Sequence, residues 1–299
     1  MSTAKSIVVN TPNSTIGRQL SRRILDAGVP LTVIARDPAK VADLAERGAR
    51  VVVGSIDDAA ALRDAFTGAR AVFWLTPPPV RPDFLEWAHK VAEQAASIAA
   101  EAGVTSAVVL SSVGAHSGPG IGPVGVLLGV EGAWRRKIPS VTALRAGFFF
   151  ENFFRDAQTI TGMGKIFSPA PADKKFPMVA TADIAESAAN ALLNPPSGHQ
   201  DLGVHGPEDL TYAEATARLS EAMGRTIDFV QIGLEDLRAA LGQMGLPEFL
   251  SGAYVDMYAG ILDGRMDAAE PRSAATTTRT PIGRFFRDVF VPRVNGASE

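Results

Sequence analysis

Short apolar runs alternate with longer amphipathic stretches through the first half of the chain. Ile7–Val9, Leu31–Ala35, Val51–Val53, Ala71–Leu75, Ala107–Leu110 and Val141–Leu144 are continuous and apolar or β-branched, with the length of strands buried in a parallel sheet. Between them, Ile16–Ala27 repeats its apolar residues at Ile16, Leu20 and Ile24, and Gly28 stops it. Asp37 and Pro38 open a helix that runs to Arg47, and Asp57 and Asp58 precede another over Ala59–Phe66. The longest helical stretch, Asp83–Ala102, closes at Gly103. Strands spaced by helices require right-handed crossovers, so the pattern predicts an α/β fold with a doubly wound parallel sheet.

Past Arg145 the alternation loosens into the aromatic run Phe148–Phe154 and a stretch containing Gly and Pro. It resumes with a helix at Ala182–Leu193, a turn at Pro195–Gly198 and two amphipathic helices, Thr211–Met223 and Leu234–Leu241. Thr211 and Glu214 form a capping box at the start of the first of these. The second half is therefore a smaller, mostly helical lobe. The tail past Val291 has few apolar residues and is expected to fray.

The first predicted strand passes directly into a helix start through Asn10, Thr11, Pro12, Asn13, Ser14, Thr15, Ile16 and Gly17. A dinucleotide-binding turn uses one glycine for the tight bend, a second for close approach to the pyrophosphate and a third to pack helix on sheet. Thr11 and Ser14 occupy the first two places here and Gly17 keeps the third. Pro12 removes one amide; the N–H groups from Asn13 to Gly17 and the hydroxyls of Thr11, Ser14 and Thr15 remain for an anion at the positive end of the helix. The same residues also suit an ordinary turn capped by Asn13 or Ser14.

Composition narrows the class. Of 299 residues, 46% are apolar and 20% charged, enough to bury a core and too apolar for general disorder. The net charge of −3 comes without a Lys/Arg cluster, which argues against a nucleic-acid partner. No cysteine is present, so disulfides, thiol catalysis and cysteine metal sites are excluded. His199 and His205 are too scattered to make a metal site together, and none is expected. Ile7–Val9 is too short for a secretion signal and no run approaches a membrane span, so a soluble cytoplasmic protein without membrane contact is expected.

Several separate segments, in order, resemble the NmrA-like branch of the atypical short-chain dehydrogenases. They are Ala35–Lys40 (ARDPAK), Phe73–Pro78 (FWLTPP), Leu110–His116 (LSSVGAH) with Gly120–Pro123, Leu144–Asn152 (LRAGFFFEN), Thr181–Ala185 (TADIA) and Gly206–Thr211 (GPEDLT). The resemblance implies a Rossmann domain binding NADP(H) over residues 1–150, to which residues 176–205 return. Residues 151–175 and 206–292 would form the smaller substrate lobe. The chain departs from the family at Thr11 and Ser14, where glycines are usual, and at Ser55, where an acid commonly stands. It also has Leu127 and Leu128 where many members place a lysine or histidine before the glutamate matching Glu131, and its tyrosines, Tyr212, Tyr254 and Tyr258, all fall late in the chain.

The resemblance implies a cofactor set of Asn10, Thr11, Asn13, Ser14, Thr15, Ile16, Arg36, Thr76 and Pro77. Arg36 follows the second strand, where an acid would bond the ribose of NAD and a base would accept the 2′-phosphate of NADP; the absence of an acid there favours NADP. Ser111 and Ser112 stand where the family keeps its serine and could polarise a developing oxyanion without titrating. His116, Phe148, Phe149 and Asn152 are the candidate substrate pocket, against the alternatives of a solvated loop histidine and of aromatic core. His89, in the middle of a long helix, reads as a surface residue. The favoured function is a reductase of a small apolar carbonyl, enone or quinone. Two others stay open: a non-catalytic NADP sensor with a protein partner, and an isomerase or cyclase that no longer uses nicotinamide. A homo-oligomer is compatible with each.

Overall fold

Each apolar run of the first half is a strand of one sheet. In the computed structural model, which describes residues 5–77 and 81–296, strands β1 (Ser6–Val9), β2 (Leu31–Ala35), β3 (Arg50–Val53), β4 (Ala69–Trp74), β5 (Ser106–Ser112) and β6 (Ser140–Ala146) come first. They alternate with helices α1 (Thr15–Asp26), α2 (Ala42–Glu46), α3 (Ala59–Phe66), α4 (Phe84–Glu101) and α5 (Leu127–Arg135). The second half adds β7 (Phe148–Phe149), α6 (Ala157–Met163), β8 (Lys165–Ser168), β9 (Phe176–Val179), α7 (Thr181–Leu193), β10 (His199–Val204), β11 (Asp209–Leu210) and α8 (Tyr212–Met223). It ends with β12 (Asp228–Gln231), α9 (Leu234–Gln243), α10 (Glu248–Leu262), α11 (Ile282–Phe285) and α12 (Val291–Val294).

The main sheet has seven strands in the order β10-β6-β5-β4-β1-β2-β3. β1 lies between β2 and β4, parallel to both, with Ile7 opposite Leu31 and Ala71. The strand order reverses at β1, so the chain leaving it enters the crevice where doubly wound sheets bind ligands, outside the carboxyl ends of the strands. Five helical crossovers were to be expected of continuous apolar strands, because such strands must be covered on both faces. In α1 the covering stripe is Ile16, Leu20 and Ile24, all buried as their spacing requires.

The chain divides into two compact units. The first holds residues up to 112 with 126–145 and 184–202; the second holds 113–125, 146–183 and the residues from 203 onward. In the first, Val8, Ile34, Val72, Trp74 and Val109 of the sheet pack with Leu62, Val91 and Trp134 of the helices. The Trp74 and Trp134 rings lie 5.3 Å apart between centroids. In the second, Phe150, Phe153, Tyr212, Tyr258, Phe285, Phe286 and Phe290 share one core, flanked by the small sheets β11-β9-β7 and β12-β8.

Several of these elements have no counterpart in the sequence pattern. β7 and β11 are two residues long and β8, β9 and β12 four, too short to display a period. α5 contains Gly129 and Gly132, poor helix formers held by tertiary packing. α10 is apolar nearly all round, so no polar stripe marks it, and it buries Ser251, Val255, Tyr258 and Gly260. The fray expected past Val291 does not start there, because α12 extends through Val294 behind a fully buried Phe290. Residues 297–299 of that tail, and Pro78 of the segment Phe73–Pro78, lie outside the described residues. Among the described residues, no helix is long and apolar enough to cross a membrane, and no group of acidic and histidine side chains could hold a metal.

Candidate functional site

Asn10 ends β1 and ties it to β4. Its side-chain amide donates to the Leu75 carbonyl at 2.8 Å, and its Oδ1 accepts the Leu75 N–H at 3.0 Å. Both ends of the side chain are thereby used to hold the strand ends in register, and its position beside the α1 turn is fixed. Thr11 contributes its carbonyl oxygen, which accepts the Ser14 N–H at 3.1 Å and the Ser14 hydroxyl at 2.8 Å. Ser14 Oγ in turn accepts the Gly17 N–H at 3.0 Å and so caps α1.

Gly17 is required by contact. A Cβ there would lie 1.9 Å from the Thr11 carbonyl oxygen, so no side chain can be added without opening the turn. The glycine that survives is thus the one the turn itself demands, and the two side chains in place of the others are partly absorbed into internal bonds. What stays open is the backbone: among the described residues, the Thr15 and Ile16 amides have no acceptor. Asn13 and Thr15 are exposed beside them. Two free N–H groups at a helix start present partial positive charge to an anion.

Arg36 stands one residue past β2, adjacent in the sheet to β1. It is exposed and, among the described residues, has no hydrogen-bond or ion-pair partner. Other charged side chains of this unit are engaged: Arg18 and Arg22 both pair with Asp43, and Asp37 caps the next turn through the Ala39 N–H at 3.0 Å. After β3, Ser55 hydrogen-bonds Asp57, which with the Trp87 indole N–H at 3.3 Å holds that carboxyl below its ordinary range. After β4, the Thr76 hydroxyl accepts the Trp74 indole N–H at 3.0 Å, and Pro77 follows it, half-buried.

The two serines that end β5 differ sharply. Ser111 is 3% exposed and donates its hydroxyl to Glu131 at 2.6 Å. Glu131, fully buried on α5, also accepts Arg145 Nε at 3.1 Å and Nη2 at 2.9 Å. Asp201 of β10 reaches Arg145 at 3.2 Å and pairs with Arg135. Two guanidinium groups against two carboxylates make a charge-balanced cluster, the arrangement a buried ion pair needs. Ser112 is half-buried and has no side-chain bond among the described residues. The cluster was missed in the sequence; its signal was a glutamate set among Val130, Ala133 and Trp134 on the buried face of α5.

In the second unit, His116 is exposed on a single 3-10 turn, Ala115–Ser117. Phe148 is held in aromatic packing, its ring centroid 5.9 Å from Phe153, 6.1 Å from Phe176 and 5.7 Å from Tyr212. Phe149 and Asn152 are half-buried, and Phe149 has no ring partner among the described residues. Glu151 accepts the Thr181 N–H and hydroxyl, and burial raises its pKa. Burial also lifts the Asp156 carboxyl to about 6, against the pull of Arg155. The structure therefore brings Asn10–Ile16 and Arg36 together in one unit and strings Phe148, Phe149 and Asn152 along one segment of the other. His89 is exposed on α4, its Nε2 where a Cβ at Gly129 would lie, 1.8 Å away.

Comparison with known proteins follows this arrangement. The chain is 32% identical over 256 residues to an NAD(P)H azoreductase of Xenophilus azovorans, covering 85% of this chain and 86% of that one. It is 31% identical over 239 residues to a (4-alkanoyl-5-oxo-2,5-dihydrofuran-3-yl)methyl phosphate reductase of Streptomyces griseus, covering 79% and 80%. An NADPH-dependent quinone oxidoreductase from Escherichia coli, solved with NADPH, superposes with a TM-score of 0.81 at 23% identity, over 95% of this chain and 99% of the other. The family model of the NmrA-like family matches residues 3–260, and the chain belongs to that family.

Proposed function

We propose that the protein is an NADPH-dependent reductase of small conjugated acceptors such as quinones, enones and azo compounds. The observation that carries this reading is the coincidence, at the carboxyl ends of adjacent strands, of the open Thr15 and Ile16 amides with an unpaired Arg36. Backbone amides at a helix start suit a pyrophosphate, and a free guanidinium suits a ribose 2′-phosphate. The residues present therefore fit the cofactor, with Asn10 holding the turn in place. When bound, NADPH supplies a hydride.

The chain's own part in the chemistry falls to Ser112. Its hydroxyl is free to donate to the acceptor oxygen or nitrogen on which negative charge develops, whereas that of Ser111 already serves Glu131. The first unit contains no tyrosine to deliver a proton, because Tyr212, Tyr254 and Tyr258 all belong to the second. A conjugated acceptor tolerates this: the added charge is delocalised, and water can protonate it after hydride transfer. A simple ketone needs its proton as the alkoxide forms. The named substrates of the relatives, an azo compound, a quinone and an unsaturated lactone, share this conjugation.

The test is equilibrium binding of NADPH and NADH to the wild type and to Arg36→Ala, followed by turnover of menadione. NADPH should bind at least about tenfold more tightly than NADH, since a charge-assisted bond contributes about 1.5–3 kcal/mol, and the substitution should remove most of the difference. Equal affinities in the wild type would sink the Arg36 assignment. NADPH binding without turnover of any quinone, enone or azo compound would favour the sensor.

A further inference from the structure

Arg36 is followed by a short turn that is closed on itself and fastened to α1. Asp37 Oδ1 accepts the Ala39 N–H at 3.0 Å, and the Asp37 carbonyl accepts the Lys40 N–H at 3.3 Å. Pro38 fixes φ at the first position of that turn, so residues 37–40 have little freedom of their own. One side chain then joins the turn to the helix. Arg18 of α1 donates from Nη2 to the Lys40 carbonyl at 2.5 Å and from Nη1 to Asp43 Oδ1 at 2.5 Å. Asp43 lies in the first turn of α2, directly behind the turn that Arg18 holds.

The other end of this link is the start of α1. Arg18 stands three residues after Thr15, so its Cα is raised by roughly 4.5 Å along the helix axis from that of the first open amide. A single guanidinium therefore spans from the helix start to the turn that carries Arg36. Only a planar fork can do this, because one edge must serve a carbonyl while the other serves a carboxylate; an ammonium is a single point. Arg22 contrasts with Arg18: it meets the same Asp43 at 3.1 Å, and among the described residues it makes no bond to the turn. The Asp43 carboxyl is held below its ordinary range by the Arg18 hydrogen bond first and that of Arg22 after it.

We infer that Arg18 is a positioning residue for cofactor choice: it braces the Arg36 turn against the start of α1 and so favours NADPH over NADH through Arg36. This rests on the reading of Arg36 as the partner of the 2′-phosphate. Arg36 is exposed and unpaired, and a loose turn behind it would have to be ordered whenever a phosphate is bound. The brace removes that cost in advance. NADH has no 2′-phosphate and makes no demand on the turn, so the effect of the brace falls on the ratio of the two affinities. Both partners of the ion pair are about one-third exposed, and pairs so exposed contribute little to global stability. The consequence of the link is local.

The experiment uses the full chain, with NADPH and NADH titrated by calorimetry into the wild type and into variants at Arg18, Arg22, Asp43 and Arg36. Arg18→Met should lower the NADPH-over-NADH ratio by about fivefold, most of the roughly tenfold preference that a charge-assisted bond supplies. NADH affinity should stay within about twofold, which also shows that the variant folds. Arg18→Lys keeps the charge but not the fork and should lower the ratio by at least about threefold. Asp43→Ala makes the surface more positive, yet it should lower the ratio too, because Arg18 loses its second anchor. Arg22→Met removes a charge from the same carboxylate without touching the brace and should leave the ratio unchanged. A wild-type ratio in Arg18→Met or Arg18→Lys, a raised ratio in Asp43→Ala, an equal fall for both cofactors, or an Arg22→Met as damaging as Arg18→Met overturns the inference. A wild type without preference, or a preference that survives Arg36→Ala, overturns the Arg36 reading and the brace with it. Preference lost in Arg36→Ala and kept in Arg18→Met overturns the brace alone.

Discussion

Ser111→Ala removes the O–H that donates to the buried Glu131 carboxylate at 2.6 Å. Glu131 keeps its two bonds from Arg145, so the cluster loses one donor and is not left with an uncompensated charge. A hydrogen bond to a charged group contributes about 1.5–3 kcal/mol, and the vacated volume is too small for the change to be relieved by water. At roughly 2–4 °C per kcal/mol for a unit of this size, the midpoint of thermal unfolding should fall by about 3–12 °C. Ser112 has no such partner, and Ser112→Ala should shift the midpoint by less than about 1 °C. The activity ranking is reversed. Ser112→Ala should lower kcat with a quinone about tenfold or more while leaving NADPH affinity unchanged, because the hydroxyl acts where charge develops. Ser111→Ala should retain most of kcat below its melting range. Differential scanning fluorimetry and steady-state kinetics on the two variants settle the matter. A Ser111→Ala protein as stable as the wild type but with kcat reduced as far as in Ser112→Ala would refute the division of roles.

Other consequences follow from single contacts. Gly17→Ala should abolish NADPH binding and lower the melting midpoint, since its Cβ would lie 1.9 Å from the Thr11 carbonyl; binding within twofold of wild type would show the turn to be looser than described. Breaking the buried pair with Arg145→Met should cost about 3–5 kcal/mol in urea unfolding, more than Ser111→Ala, because it leaves buried Glu131 only the longer contact from Arg135 at 3.7 Å; an equal loss in the two variants would count against the cluster. His205 is 2% exposed with no partner at Nε2, and burial, then the Arg272 charge, holds its pKa below the ordinary value of 6.5. The folded state therefore binds fewer protons there than the unfolded one, and this contribution to stability is present above about pH 6.5 and lost as the pH falls below it. Asp156 and Glu151, whose raised pKa values favour their neutral forms, act in the opposite sense at lower pH. The His205 share is read as the difference in urea stability between wild type and His205→Phe at pH 5.5 and 7.5, and no difference between the two pH values would remove it.

The chain's periodicities alone determine the βαβ order, the positions of β1 to β6 and the caps at Asp37 and Thr211, because each depends on residues within a few positions of one another. The same locality marks the Asn10–Gly17 turn as altered and picks out Arg36 after β2. What only the tertiary structure decided are the partners reached across the chain. Asn10 is fastened to Leu75, 65 residues away, and Ser111 to Glu131, 20 residues away. No local pattern distinguishes a serine that donates to a buried carboxylate from one that is free to meet a ligand, so Ser111 and Ser112 read alike in the sequence. Phe148 is likewise separated from Phe149 only by packing: adjacent residues of a strand face opposite sides, and the aromatic core claims Phe148.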